Sequence, residues 1–239
     1  QTSVRQMNLA IDIGNTNTKF ALFDKKELKE VFVGAQSLPA VLDKFKIRRA
    51  ILSQTGKNSE VELLLQDRKI NPLVLSYQLA LPVKIMYKTP ETLGADRIAG
   101  SVAAAMGLVD ENVLKIDFGT CITYDVVTAD KHYLGGAISP GMMMRFKALN
   151  SYTAKLPLVD PMLYTNYDLT GADTAGSILS GVMQGIKHEV NGIIKEYEAR
   201  LGKLKVITTG GDAALFATLI KSEIFARPYL VLEGLNRIL

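Results

Sequence analysis

The sequence predicts an α/β protein of two similarly built halves, each a mixed β-sheet with helices on its faces. Three observations carry that expectation. Residues 9–13 and 20–23 are short apolar strands joined by a polar turn, with Asp12 near the end of the first and Gly14-Asn15-Thr16-Asn17-Thr18-Lys19 between them. The same grammar returns at residues 116–127, where Asp117-Phe118-Gly119-Thr120 again sets an acid, one apolar residue, a glycine and a hydroxyl between strand-like runs. A duplicated hairpin implies a duplicated half. After each hairpin, apolar runs of strand length and of helix length alternate, the order of a sheet covered by helices.

In chain order, residues 28–33 give a third strand after the turn at Lys25-Lys26. Residues 38–45 read as a helix, 50–52 as a buried strand, 60–65 as a helix, 73–75 as a strand and 82–87 as an extended piece. Thr89-Pro90-Glu91 is a helix-start signal. The small-residue helix over 93–106 follows, expected to press closely on a neighbour between the halves. The boundary falls at 108–112, giving domains 1–108 and 109–239, the second opening with the strand 113–118. A strand over 132–141 ends in a Gly/Pro turn, a helix covers 142–149, and 157–169 is a loop. The longest element is a helix over 173–201, where Ile178, Leu179, Val182, Ile186, Val190, Ile193, Ile194, Tyr197 and Leu201 recur at helical steps. Its other side, Ser177, Gly181, Gly185 and His188, is a small-residue groove suited to a second copy of the chain or to packing within it. The strand 204–207, a helix over 213–220 and a strand over 229–232 complete the half. Met142-Met143-Met144 reads as core filling.

The turns are where chemistry is expected. An acid at the end of a buried strand is costly unless a cation or hydrogen-bond donors meet it. Glycine, amides and hydroxyls follow at once, a set suited to a polyphosphate and its metal ion. A third such turn, Thr208-Thr209-Gly210-Gly211-Asp212, follows the strand at Val206-Ile207.

Composition narrows the field. A formal charge of +4 over 239 residues, with no basic run and no Trp, argues against nucleic acid and suits small anionic substrates equally well. One cysteine, Cys121, excludes an intrachain disulfide and a cysteine-rich metal site. No run reaches the roughly 18 apolar residues of a membrane span, and residues 1–6 lack the apolar segment of a signal peptide. The expectation is a cytoplasmic protein with no membrane partner, residues 1–6 being an extension ahead of a natural start at Met7.

On Asp12-Ile13-Gly14-Asn15-Thr16, Gly94-Ala95-Asp96-Arg97, Asp117-Phe118-Gly119-Thr120, Gly135-Gly136-Ala137-Ile138-Ser139-Pro140-Gly141, and Thr174 ahead of Ser180-Gly181, the chain resembles the type III pantothenate kinases from Met7 onward. Gly-Ala-Asp-Arg, in its place between the two hairpins, points to pantothenate; the hairpins belong to the wider superfamily of acetate and sugar kinases, actin and heat-shock ATPases. The resemblance implies two ribonuclease-H-like domains with ATP in the cleft and a homodimer whose active site draws on both subunits. It implies transfer of the ATP γ-phosphoryl group to pantothenate, giving 4'-phosphopantothenate in coenzyme A biosynthesis. By the match, Asp12, Ile13, Gly14, Asn15, Thr16, Asn17, Thr18 and Lys19 line the ATP phosphates, Asp12 facing Mg²⁺ through water, and Thr120 touches ATP. Asp117 holds a monovalent cation, potassium or ammonium. Asp96 is the general base; Gly94, Ala95, Asp96 and Arg97 meet pantothenate, Tyr87 borders its pocket, and Thr174 reaches in from the partner subunit. Cys121 replaces the alanine expected after Gly-Thr and leaves open a redox or alkylation sensitivity.

Each role has a plainer counterpart. Asp96 and Arg97 also suit the first turn of a helix, and Lys19 suits an exposed strand as well as a phosphate. Asp125 is read as a strand-end acid before a neighbour of the cation, and His132 and His188 carry no role. Two other functions stay open: a kinase or phosphatase of the same superfamily acting on a sugar or an acid, and a non-enzymatic regulatory relative such as the Bvg accessory factors.

Overall fold

A computed structural model describes residues 6–56, 59–108 and 110–239. Residues 1–5 of the expected N-terminal extension, and Val109 in the expected boundary, lie outside them. The described chain runs β1 (Gln6–Ile13), β2 (Thr18–Asp24), β3 (Glu27–Val33), α1 (Leu38–Lys44), β4 (Lys46–Gln54), α2 (Ser59–Asp67), β5 (Leu73–Val74), β6 (Lys84–Ile85) and α3 (Ala95–Gly107). It continues with β7 (Asn112–Phe118), β8 (Cys121–Val127), β9 (His132–Pro140), α4 (Met142–Ser151), α5 (Thr174–Leu201), β10 (Leu204–Thr209), α6 (Ala213–Ala217), β11 (Ile224–Ala226) and α7 (Leu230–Ile238).

Two compact units result, and neither is one continuous stretch: residues 1–110, 126–135 and 229–239 form the first, and 111–125 with 136–228 the second. The first break falls after Asp110. The C-terminal residues differ from expectation, because α7 is a helix where a strand was expected over 229–232. Its Leu232 and Leu235 share an apolar cluster with Ile98, Ala99, Val102 and Ala105 of α3.

The first unit is built on a five-stranded sheet in the order β3-β2-β1-β4-β5, antiparallel from β3 to β1 and parallel from β1 to β5. Alternate residues of a strand face opposite sides, so β1 is apolar on both. Ala10, with Ala21 and Ile51, faces α3 and α7; Leu9 and Ile11, with Phe20, Leu22 and Leu52, face Leu38 and Val41 of α1 and Val61 and Leu65 of α2. That three-layer packing fixes where β1 ends and delivers Asp12 to the sheet margin. The small residues of α3 meet α7: a Cβ on Gly234 would lie 1.8 Å from the Ala99 carbonyl oxygen.

The second unit carries most of a sheet ordered β11-β10-β7-β8-β9-β6, with β10 parallel to both β7 and β11. Its strand β11 is absent from the sequence reading, being three residues long. The helix α5 buries Ile178, Leu179, Val182, Ile186, Val190 and Ile194 of the predicted stripe, and Met183 besides, while Ile193, Tyr197 and Leu201 are half-buried. The small-residue side stays open: Ser177, Gly181 and His188 are exposed, and a Cβ on Gly181 would meet nothing within 4 Å. Packing within the chain meets it only in part: a Cβ on Gly171 would stand 2.1 Å from the Ser177 nitrogen, and Gly185 is half-buried. Met142 is buried, whereas Met143 and Met144 are exposed rather than core-filling. Among the described residues, no helix is long and apolar enough to cross a membrane.

Candidate active site

In the first unit, the β1–β2 hairpin holds Asp12 opposite Lys19 on β2 and Ser53 on β4. The Gly14 N–H donates to the Asn17 carbonyl at 3.1 Å and closes a tight turn. Its root is pinned by a segment the sequence reading did not single out. The Ile13 carbonyl accepts from the N–H groups of Thr55 (3.0 Å) and Gly56 (2.9 Å) and from the Thr55 hydroxyl (3.3 Å). A Cβ on Gly56 would stand 2.4 Å from the Gly14 carbonyl oxygen, so only glycine allows this approach. The signal was available in Thr55-Gly56, a hydroxyl and a glycine just past a buried strand. Asn15, Thr16 and Asn17 face solvent, Thr18 is buried, and Asp12 and Lys19 are half-buried.

The start of α3 gathers a second group in the same unit. Gly94 is its N-cap, and Asp96 in the first turn accepts from the Arg97 N–H at 2.9 Å. A Cβ on Gly94 would lie 2.6 Å from Asp96 Oδ1, so the missing side chain leaves the carboxylate its place. Arg97 is buried, its guanidinium 5.8 Å from the centre of the Tyr87 ring, a cation–π contact. Tyr87 in turn lies against Gly135, whose φ of +100° and missing Cβ both admit the ring. Tyr87, Gly94, Asp96 and Arg97 thus share one neighbourhood with Ala95.

In the second unit three glycine turns meet. The Gly119 N–H donates to the Cys121 carbonyl and the Gly141 N–H to the Thr120 carbonyl, both at 3.1 Å. Gly210, at φ +97°, would bring a Cβ within 2.5 Å of Asp117 Oδ1 and 2.4 Å of the Phe118 carbonyl oxygen. The Asp212 N–H donates to that same carbonyl at 3.0 Å, and burial pushes the Asp212 carboxyl up. Asp117 is half-buried and Thr120 exposed. A partly open carboxylate against a bare glycine and backbone carbonyls suits a monovalent cation held by oxygens. Cys121 is a free, half-exposed thiol at the start of β8.

Beneath this turn Asp125 is fully buried and paired with Lys115 at 2.8 Å. It lies within β8 rather than at its end, and a lysine supplies its charge. The network Tyr124–Glu189–Arg145 was also missed by the sequence reading: the Tyr124 hydroxyl donates to Glu189 at 2.7 Å and Arg145 to its other oxygen at 2.5 Å. Burial pushes the Glu189 carboxyl up, but Arg145, Tyr124 and Ser139 outweigh it and hold the group below its ordinary range. Burial and the same carboxylate push the Tyr124 phenol up. Thr174 is exposed in the first turn of α5, whose cap, Asp173, accepts from the Gly176 N–H at 2.7 Å. Among the described residues, no three His, Cys, Asp or Glu side chains cluster as a metal site. Asp12 offers a single half-buried carboxylate at the first hairpin, a donor that fits a divalent ion held largely by substrate phosphates and water.

A family model described as type III pantothenate kinase matches residues 8–196. The chain is 44% identical over 238 residues to the type III pantothenate kinase of Phocaeicola vulgatus, and 46% identical over 240 residues to that of Christiangramia forsetii, covering 98% of each chain in both cases. A structure described as a Baf family transcriptional activator from Campylobacter jejuni matches with a TM-score of 0.62 at 24% identity, covering 96% of both chains. One described as an N-acetylmannosamine kinase from Listeria monocytogenes matches with a TM-score of 0.58 at 11% identity over 98% of both. At such identities the structural likeness shows the fold alone, a two-sheet α/β fold.

Proposed function

The chain belongs to the type III pantothenate kinases, and on that premise we propose that Asp96 is the general base of its reaction and that Arg97 and Tyr87 hold its acceptor. The protein phosphorylates pantothenate with ATP in coenzyme A biosynthesis, giving 4'-phosphopantothenate. The observation that carries the assignment is the neighbourhood at the start of α3, where Asp96, the buried Arg97 guanidinium and the Tyr87 ring assemble.

Phosphoryl transfer asks a protein mainly to position its reactants and to stabilise charge on the moving oxygens. The terminal hydroxyl of pantothenate attacks the γ-phosphorus, the bond from phosphorus to the β–γ bridging oxygen breaks, and ADP leaves with that electron pair. Asp96 takes the hydroxyl proton as the new bond forms. The Arg97 fork matches two carboxylate oxygens and so suits the acid group of pantothenate, with Gly94 and Ala95 beside it. The solvent-facing turn from Gly14 to Asn17, flanked by Asp12, Ile13, Thr18 and Lys19, meets the phosphates of ATP. The pinned Ile13 carbonyl keeps that turn in one conformation, and Thr120 contributes from the second hairpin. Asp12 would hold, through water, the Mg²⁺ that accompanies ATP, and that ion would neutralise phosphate charge. Asp117 would hold potassium or ammonium. The enzyme works in the cytoplasm as a homodimer in which Thr174 of one subunit serves the acceptor site of the other. The open small-residue side of α5 and the exposed Met143, Met144, Leu163 and Leu169 support that assembly.

The test is ADP release from MgATP and pantothenate in potassium and in sodium buffer. We expect turnover that depends on potassium and falls by about 10²-fold or more in Asp96→Asn. Full activity in that variant would remove Asp96 as the base. Equal rates in both buffers would remove the monovalent cation from Asp117.

A further inference from the structure

We propose that the Arg145–Glu189 pair is a latch that sets the position of the Gly119–Thr120 turn, making both of them positioning residues for nucleotide binding. The proposal rests on the reading that Thr120 touches ATP.

The latch is a chain of short contacts within the second unit. From α4, the Arg145 Nε donates to the Pro140 carbonyl at 2.8 Å, and a terminal nitrogen donates to the Ser139 hydroxyl at 2.9 Å and to Glu189 of α5 at 2.5 Å. One guanidinium thus grips the two residues that precede Gly141. Gly141 sits directly on the turn: its N–H donates to the Thr120 carbonyl, and a Cβ on it would lie 2.4 Å from the carbonyl oxygens of both Gly119 and Thr120. With no slack at Gly141, a shift of residues 139–140 becomes a shift of Thr120.

The other end of the latch holds the strand that leaves the same turn. Glu189 accepts from the Tyr124 hydroxyl at 2.7 Å. The Tyr124 carbonyl would lie 1.7 Å from a Cβ on Gly136, so β8 and β9 are in closest contact there. Glu189 therefore ties both sides of the turn to one rigid helix. The Arg145 and Glu189 side chains are only 19% and 25% exposed, unlike a solvent-screened surface pair. Bonds of this charge-assisted kind carry geometric precision as well as energy.

The experiment measures MgAMPPNP affinity by titration calorimetry, together with KM for ATP and for pantothenate, in Arg145→Met, Arg145→Lys, Glu189→Gln and Thr120→Val. Arg145→Met should weaken nucleotide affinity and raise KM for ATP about tenfold, the loss expected for a charged hydrogen-bond network. KM for pantothenate should stay within about twofold, since that residue set lies elsewhere. Arg145→Lys should recover part of the loss, because an ammonium keeps the charge without the fork. A folded Arg145→Met protein that is less heat-stable yet binds nucleotide normally would reduce the pair to a structural tie and overturn the latch. Were Arg145→Met not to fold, Ser139→Ala, which removes one bond of the fork, is judged by the same split. Thr120→Val separates the two ideas. Unchanged nucleotide affinity there defeats the reading of Thr120, whereas a loss there with none in the Arg145 variants defeats the latch alone.

Discussion

Lys115 is almost wholly inaccessible, 1% exposed, in the middle of β7, and it pairs with Asp125 at 0%. Two charges removed from water break even only when both are present, so deleting one is worse than deleting both. Lys115→Met alone should cost about 3–5 kcal/mol in urea unfolding, while Lys115→Met with Asp125→Leu should cost far less. A double variant as unstable as the single one would mean that the pair itself stabilises the fold. Glu189 gives a second prediction, on pH. Its folded-state value is held below the ordinary 4.5, so its contribution is complete above about pH 4.5 and is lost as the pH falls through the folded value. Melting temperature should therefore drop on acidification more steeply in the natural protein than in Glu189→Gln, as differential scanning calorimetry at pH 7 and pH 4 would report. Neither pair was named from the sequence. Lys115 inside Val113-Leu114-Lys115-Ile116 was a legible anomaly, a charge where period-two burial demands none. Glu189 offered no signal, because an acid on a helix is ordinarily solvated and its partners come from elements 44 and 65 residues away.

At the scale of elements, Thr89-Pro90-Glu91 opens only a separate 3-10 turn over Pro90–Thr92, and α3 starts at Ala95 behind Gly94 with no side-chain cap. The hairpins and the long helix, by contrast, were legible because each is local: strand–glycine–strand and a helical period over 28 residues. The C-terminal element was not. Tyr229-Leu230-Val231-Leu232 is an apolar run too short to separate strand from helix by pattern, and what decides it is docking on α3. That docking has a narrow gate at Gly234, where an added Cβ would meet the Ala99 carbonyl oxygen at 1.8 Å. Gly234→Ala must push α7 outward or distort α3, the helix whose first turn carries Asp96 and Arg97. Overpacking of this kind costs about 1–3 kcal/mol. The expected outcome is a lower melting temperature with a raised KM for pantothenate and an unchanged KM for ATP. If the acceptor KM stayed at its natural value in the folded variant, the start of α3 would not depend on α7. The Thr55-Gly56 clamp under the first hairpin was hidden for the same reason, since it joins residues 42 apart through the Ile13 carbonyl.

For the whole molecule, the duplicated hairpin led to two halves, but a boundary drawn along the chain misses that the C-terminal helix returns to the first unit. Sequence order does not record such a return; only the shared apolar cluster of α3 and α7 does. Function at this scale turns on whether one chain suffices. Asp96 and Thr174 belong to different units of the chain, and the proposed homodimer gives each acceptor site its Asp96 from one subunit and its Thr174 from the other. Subunit mixing decides it. Asp96→Asn removes the base, and Thr174→Trp fills the position with a bulky ring at an exposed helix start that tolerates it; each homodimer should be inactive. In a mixed dimer, the Thr174→Trp subunit supplies an intact Asp96 and its Asp96→Asn partner an intact Thr174, so one of the two sites is whole. Equal co-expression with random two-fold pairing should restore about a quarter of the natural activity. Were both residues to serve a site within a single chain, every site in the mixture would carry one defect and no activity would return. Light scattering on the same sample distinguishes that result from a failure to pair.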